Sequence, residues 1–151
     1  MPAESNPHRF VFDLDKAIRV QLIAKLQESP TLPLATGVGP PESGVYSLDW
    51  KGKLVYVGKA TKEMTKSKRD LRKRLNEHVA KISRRRNIAL NEVAVQFLTF
   101  ESEWWVFAAE FALIAQFKPE WNLSGFGSKV PGAGRPGTHR VSRWDEQFPK
   151  R

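Results

Sequence analysis

The tightest constraint on this chain is one short stretch, in which two β-prone runs, Gly44 to Trp50 and Lys53 to Lys59, are separated only by Lys51-Gly52. A two-residue connection containing glycine suits a tight turn between antiparallel strands, because such turns require backbone at positive φ. The stretch therefore predicts a β-hairpin with one tyrosine, Tyr46 or Tyr56, in each arm. Val93 to Phe100 is a third strand candidate.

Helical periodicity supplies the flanking layers. Ile18, Leu22 and Leu26 recur at helical spacing from Asp13 to Glu28, behind an Asp-rich start. Ser67 is a suitable N-cap for a helix through Ile82, whose apolar stripe is Leu71, Leu75, Val79 and Ile82. At about 100° per residue, Arg74 and His78 sit side by side on the border of that stripe. Trp104 to Phe117 is apolar on all sides except at Glu110 and Gln116, and Pro119 stops it. A helix of that kind is expected to be central and buried, with Glu110 in or beside the core. A lone buried carboxylate costs several kcal/mol unless an arginine, a metal ion or protonation compensates it. A Glu at a helix edge can also simply reach out to solvent.

Between these elements, residues 29–43 read as a connector, since Pro30, Pro33, Pro40, Pro41, Gly37 and Gly39 deny both helix and central strand. After Asn122 the chain turns Gly- and Pro-rich, and an irregular tail is expected, with Trp144 and Phe148 favouring partial docking. The prediction is a single α+β domain over residues 1–151, a small three-stranded antiparallel sheet flanked by helices. Its parts are an N-terminal helix and connector (10–42), a core (43–123) and the tail (124–151). A 151-residue chain that is 40% apolar is long enough to bury such a core.

Charge narrows the partners. The formal charge is +9, and the window Lys59 to Arg86 holds twelve Lys or Arg against three acidic residues. A polyanion is the natural partner, although a cationic helix face can also be merely solvated. Candidate phosphate contacts are Lys62, Lys66, Lys68, Arg69, Arg72, Arg84, Arg85 and Arg86, joined in the tail by Lys129, Arg135 and Arg140. The absence of cysteine excludes disulfides and thiolate zinc sites, and His8, His78 and His139 are too dispersed for a local metal motif. No run approaches the roughly 18 apolar residues of a membrane span, and residues 1–15 do not read as an export signal. A cytoplasmic protein with no membrane partner is expected.

Gly44-Val45-Tyr46 followed by Tyr56-Val57-Gly58 resembles the paired motif of the GIY-YIG nucleases, with Val replacing Ile in each tripeptide. The later landmarks of that family stand in order: Arg74 and His78 one helical turn apart, Glu110 in a following helix, and Asn122 beyond it. The Phe12-Asp13-Leu14 helix start, the Pro-rich connector and the Gly-Phe-Gly to Pro-Gly-Ala-Gly-Arg tail are most similar to the family's Type II restriction enzymes, nearest the branch that cuts CCGCGG. The resemblance implies the GIY-YIG nuclease fold and metal-dependent phosphodiester hydrolysis.

The residues suit that chemistry. Glu110 is the natural anchor for one hard divalent cation per site, with magnesium first in line. Tyr46 is the candidate general base, which requires nearby cations such as Lys59, Arg74 or the metal to bring its phenol down from about pKa 10. His78 would relay the proton and Tyr56 orient the water or phosphate, and these roles are exchangeable. Arg74 would stabilise transition-state charge, and Asn122 would position Glu110 or a backbone segment. One catalytic set per chain implies a homodimer on a palindromic double-stranded site. The alternatives are a nicking nuclease of repair or of a mobile element, and a non-catalytic basic nucleic-acid-binding module.

Overall fold

The computed structural model describes residues 7–11, 13–66, 68–127 and 141–151. Helix α1 (Leu14–Glu28) leads through a short strand β1 (Leu32–Pro33) to strands β2 (Gly44–Trp50) and β3 (Lys53–Ala60). Helix α2 (Leu71–Ser83), a 3-10 turn (Leu90–Glu92), strand β4 (Val93–Thr99) and helices α3 (Glu103–Phe117), α4 (Glu120–Ser124) and α5 (Arg143–Gln147) complete the order.

The hairpin forms as its turn residues dictate. Lys51 and Gly52 both take positive φ (52° and 81°), so the two-residue loop follows the twist of β2 and β3. The antiparallel sheet has four strands in the order β1-β4-β2-β3, one more than expected. The addition lies inside the Pro-rich connector, where Leu32 and Pro33 pair with Val95 and Ala94 of β4. Two residues carry no readable period, and an edge position tolerates Pro33 because only one side of an edge strand must donate.

The pleat sends alternate residues to two different layers. Val45 and Val57 meet Leu22, Leu26, Val106 and Leu113 from α1 and α3. Tyr46, Leu48 and Tyr56 face the other way, onto Leu71, Leu75 and Ile82 of α2 and the aromatic rings of Trp121, Trp144 and Phe148. Each such side chain contributes roughly 1.5–3 kcal/mol by leaving water. Helix α2 starts at Leu71, where the Asp70 carboxylate accepts from the Lys73 amide at 2.8 Å, so Asp70 and not Ser67 is its cap. Ser67 itself lies outside the described residues.

Helix α3 departs most from expectation. Only one side of it is covered, through Val106, Ala109, Ala112 and Leu113, while Trp104 and Phe111 stay 74% and 72% exposed. An all-apolar sequence has no preferred face, so composition could not reveal that half of it meets solvent. The tail docks through α5, whose Trp144 is fully buried. Arg85 secures it, its guanidinium donating to the Asp145 carboxylate at 2.7 Å and to the Phe148 carbonyl at 3.1 Å. Among the described residues no helix is long and apolar enough to cross a membrane.

Candidate active site

Tyr46 and Tyr56 project from the same face of the hairpin, their ring centres 6.0 Å apart. Gly58 stands opposite Tyr46, and a Cβ there would land 2.4 Å from the phenol ring, so only glycine lets the ring lie across β3. Helix α2 closes over both rings with His78, which is buried and places Nε2 2.5 Å from the Tyr46 hydroxyl. Phe126 stacks against the imidazole at 4.8 Å and meets Tyr56 edge-on at 5.0 Å.

Burial governs the protonation of this cluster. It holds the His78 imidazole well below its ordinary pKa of 6.5, helped by the positive charges of Arg74, Lys81 and Arg69. Burial likewise raises the Tyr46 phenol well above 10, and the charges of Tyr56 and Glu110 add to this while Arg74 opposes it. Tyr56 is raised as well, again chiefly by burial. In the metal-free chain desolvation outweighs Arg74, so that guanidinium alone does not bring the Tyr46 phenol down. The resting pair is a neutral phenol and a neutral imidazole joined by one hydrogen bond between the Tyr46 hydroxyl and His78 Nε2.

The remaining groups arrive from both layers. Arg74, one turn before His78, sets its guanidinium 3.2 Å from Glu77 and 3.5 Å from the Gly127 carbonyl. Glu110 comes from α3 on the opposite layer and accepts from Lys59 Nζ at 3.0 Å. Its compensating partner is thus a lysine, and the carboxylate stands at the layer's edge with 22% of its side chain exposed. Because β3 is an edge strand, these groups converge around it. A cavity of about 240 Å³ is walled by Tyr56, Lys59, Arg69, Arg74, Glu110 and Asn122, with Tyr46 and His78 behind Tyr56. Asn122 reaches the backbone instead of Glu110: it accepts from the Val57 amide at 2.9 Å and donates to the Val57 carbonyl at 2.8 Å. That double bond occupies main-chain groups an edge strand would otherwise leave unpaired.

Three contributors escaped the sequence reading. Lys81 donates to the Phe126 carbonyl and stands 4.9 Å from the centres of the Phe126 and Trp144 rings. The signal was there, since Lys81 follows His78 by three residues on the same helix face. Phe126 lies in a Gly-Phe-Gly run whose irregularity hid its packing. Glu103, at the start of α3, accepts from the Ser43 hydroxyl (2.5 Å) and the amides of Lys62 (2.6 Å), Glu63 (3.1 Å) and Met64 (2.9 Å), tying down the loop after β3. The Ser43 bond, with those amides, holds the Glu103 carboxyl below its usual range.

Of the candidate phosphate contacts, Lys62, Lys66, Lys68, Arg72, Arg84 and Arg86 are exposed. Arg69 pairs with Glu77 at 2.6 Å and also lines the cavity. Arg85 must be withdrawn from that set: it is buried and committed to Asp145, because α5 docks on it. Lys129, Arg135 and Arg140 lie outside the described residues. Among the described residues no cluster of three metal-binding side chains occurs. A hard cation that keeps most of its waters needs no such cluster, and one carboxylate beside a 240 Å³ cavity fits it.

A family model described as the Eco29kI GIY-YIG domain matches residues 45–151. That span contains every candidate catalytic residue from Tyr46 to Asn122. No curated protein matches the chain.

Proposed function

Because the chain belongs to the Eco29kI GIY-YIG family of restriction endonuclease domains, and is thus a nuclease acting on DNA, we propose that it is a Type II enzyme cutting both strands at a specific site. The observation that carries this reading is the cavity at the edge of β3, where a phenol, a guanidinium, an ammonium and a carboxylate converge in front of a buried phenol–imidazole pair.

Hydrolysis requires a water to lose a proton as its oxygen attacks phosphorus. Tyr46 cannot rest as a phenolate, since burial raises its pKa well above 10. The nearest lone pair able to take a proton is Nε2 of neutral His78. The two phenol rings lie side by side, 6.0 Å between centres. In this reading the water gives up its proton toward the Tyr46–His78 pair, with His78 as the final acceptor and Tyr56 orienting the water at the cavity wall, while the bond from phosphorus to the 3′ oxygen breaks. Arg74 supports the phosphate charge that grows at this point. Glu110, with Lys59 beside it, would hold one divalent cation such as magnesium, whose chemistry there would be to offset negative charge on the phosphate.

The exposed cations of the loop after β3 and of α2 supply phosphate contacts independent of sequence, so binding should weaken steeply with salt. A homodimer on a palindromic site follows from one catalytic set per chain. Digesting a plasmid of known sequence with magnesium and mapping the ends tests the reading. Discrete double-strand ends at one short motif are expected. Nicks alone would indicate a repair or mobile-element enzyme, and an intact plasmid a binding module.

A further inference from the structure

Helix α2 holds Arg74, His78 and Lys81 on one face, within a sector of about 60° given its 3.6-residue period. The middle side chain is the imidazole of the buried pair, and the outer two are cations that each reach a carbonyl of one segment. Arg74 donates to Gly127 at 3.5 Å, and Lys81 donates to Phe126. That segment is delivered by Gly125, whose φ of 96° ends α4 and turns the chain toward α2, with the Phe126 amide donating to the Trp121 carbonyl at 3.1 Å. Phe126 then covers the site. Its buried ring stacks on His78 at 4.8 Å, and Gly127 lies so near the Tyr56 hydroxyl that a Cβ there would overlap it.

A lysine in the last turn of a helix ordinarily serves the helix's own final carbonyls. Lys81 instead sends its ammonium to the Phe126 carbonyl, 4.9 Å from the ring centres of both Phe126 and Trp144. A methionine would fill the space between those rings without desolvating a charge, so packing alone does not account for an ammonium there. The titratable and charged groups around His78 are Tyr46 of β2, Tyr56 of β3, Arg69 of the loop before α2, and Arg74 and Lys81 of α2 itself. Glu77 is taken up by Arg69 and Arg74, while Asp145, Arg85 and Lys150 face Lys81 in turn. Burial first, then the charges of Arg74, Lys81 and Arg69, keep the imidazole neutral.

We propose that Lys81 is a positioning residue of the site: its ammonium clips the Phe126–Gly127 strap over His78, so that the imidazole stays shut off from water with Nε2 on the Tyr46 hydroxyl. Lys81 does not line the cavity, so it acts through Phe126 and through the field it sets at His78. Two effects of its loss run in the same direction. Without the ammonium the Phe126 carbonyl loses its donor and the ring its seat, which admits water to the imidazole. One of the three positive charges near His78 disappears as well. Either change lets His78 take up a proton at higher pH, and a protonated imidazole has no lone pair left to receive one from Tyr46. The consequence for cleavage rests on the reading of His78 as the final proton acceptor, whereas the hold of Lys81 on His78 does not.

Titration of His78 by NMR tests that hold without any DNA. In a His8→Gln, His139→Gln background the imidazole signals come from His78 alone. Lys81→Met, which keeps the apolar stem, should move their midpoint to higher pH, and Lys81→Arg, which keeps the charge and the donors, should return it. The single-turnover cleavage rate should follow, with the acid limb of Lys81→Met starting at higher pH and costing about tenfold per pH unit below it. If Lys81→Met does not fold, Lys81→Gln is read in its place, since it keeps an N–H donor and loses the charge. A His78 midpoint that stays put, even beside a lowered melting temperature, would leave Lys81 as a seat for Trp144 only and overturn the proposal. Failure of Lys81→Arg to return the midpoint overturns it too. A midpoint that moves as stated in a protein that cleaves nothing, or whose acid limb does not shift, sustains the clip and removes His78 from the reaction.

Discussion

The two layers that sandwich the sheet differ in chemistry, and the candidate site exists because they differ. On the α1 and α3 side the core is aliphatic, built from Leu22, Leu26, Val45, Val57 and Leu113. On the α2 side it is aromatic and polarisable, with Tyr46 and Tyr56 packed among Trp121, Phe126 and Trp144, and His78 buried between rings. The aromatic layer lets titratable groups stay dry yet hydrogen-bonded, which keeps both phenol and imidazole neutral. The aliphatic layer only lends Glu110 and Lys59 at its rim. On the proposed reading, proton transfer would belong to one layer and the anchoring of charge to the other, and edge strand β3 is where the two sets of side chains meet.

The largest expected effect tests the rim of the aliphatic layer. Glu110→Gln keeps the shape but loses the charge that would hold a cation, so magnesium-dependent cleavage should fall below detection while DNA binding persists. Unchanged turnover in a plasmid assay would remove Glu110 from the chemistry and leave Lys59 as its whole purpose.

Next comes the aromatic layer. Tyr46→Phe interrupts the relay to His78 and should lower the single-turnover rate by roughly 10²–10⁴, the range of general acid–base effects. The same relay fixes the pH dependence. His78 must be neutral to accept, and burial depresses its pKa, so activity should persist at pH 6.5 and fall only on the acid side of that value. Stability carries the matching sign. Below pH 6.5 the unfolded chain takes up the proton before the folded one does, so the melting temperature should drop as pH falls toward the depressed folded value. An acid limb above 6.5 would show that His78 is not the acceptor. Arg74→Ala should cost roughly 10²–10³ in the chemical step, as other lost transition-state charge stabilisers do. A change confined to DNA affinity would reassign Arg74 to phosphate positioning.

How much of this was legible depends on the range of the interactions. The hairpin was, because Lys51-Gly52 and the alternation of Val45, Tyr46, Tyr56 and Val57 are local chemistry. So was the pairing of Arg74 with His78 on one helix edge. Strand β1 was not, since its two residues pair across about sixty positions of chain. The desolvation of Tyr46 was hidden for a related reason: its neighbouring cations can be guessed from sequence, but its complete burial arises only when α2, Phe126 and the sheet assemble. Phe126, Lys81 and Glu103 act through the fold in the same way.

The aliphatic core should be separable from catalysis. Leu26 of α1 is buried and remote from the cavity, so Leu26→Ala should cost about 2–5 kcal/mol of stability through lost contact and a residual cavity. Rates measured on the folded fraction should stay near wild type. A rate loss as large as that of Tyr46→Phe would mean that the two layers are coupled and that the division of labour between them is wrong.

The smallest effect separates two neighbouring arginines that look alike in the sequence. Arg84 is exposed beside the last turn of α2, while Arg85 is buried against Asp145 with only 8% of its side chain exposed. Arg84→Ala should leave the fold intact and reduce the slope of log affinity against log salt by about one, the signature of a single lost phosphate contact. Arg85→Ala should leave that slope alone and instead cost about 3 kcal/mol, because α5 loses its ion pair and its bond to the Phe148 carbonyl. Salt titrations and melting curves of the two variants, run side by side, read these outcomes independently. If Arg85→Ala lowered the salt slope without lowering the melting temperature, the C-terminal helix would have to leave its seat on DNA, freeing Arg85 for phosphate as its place in the Arg84-Arg85-Arg86 run first suggested.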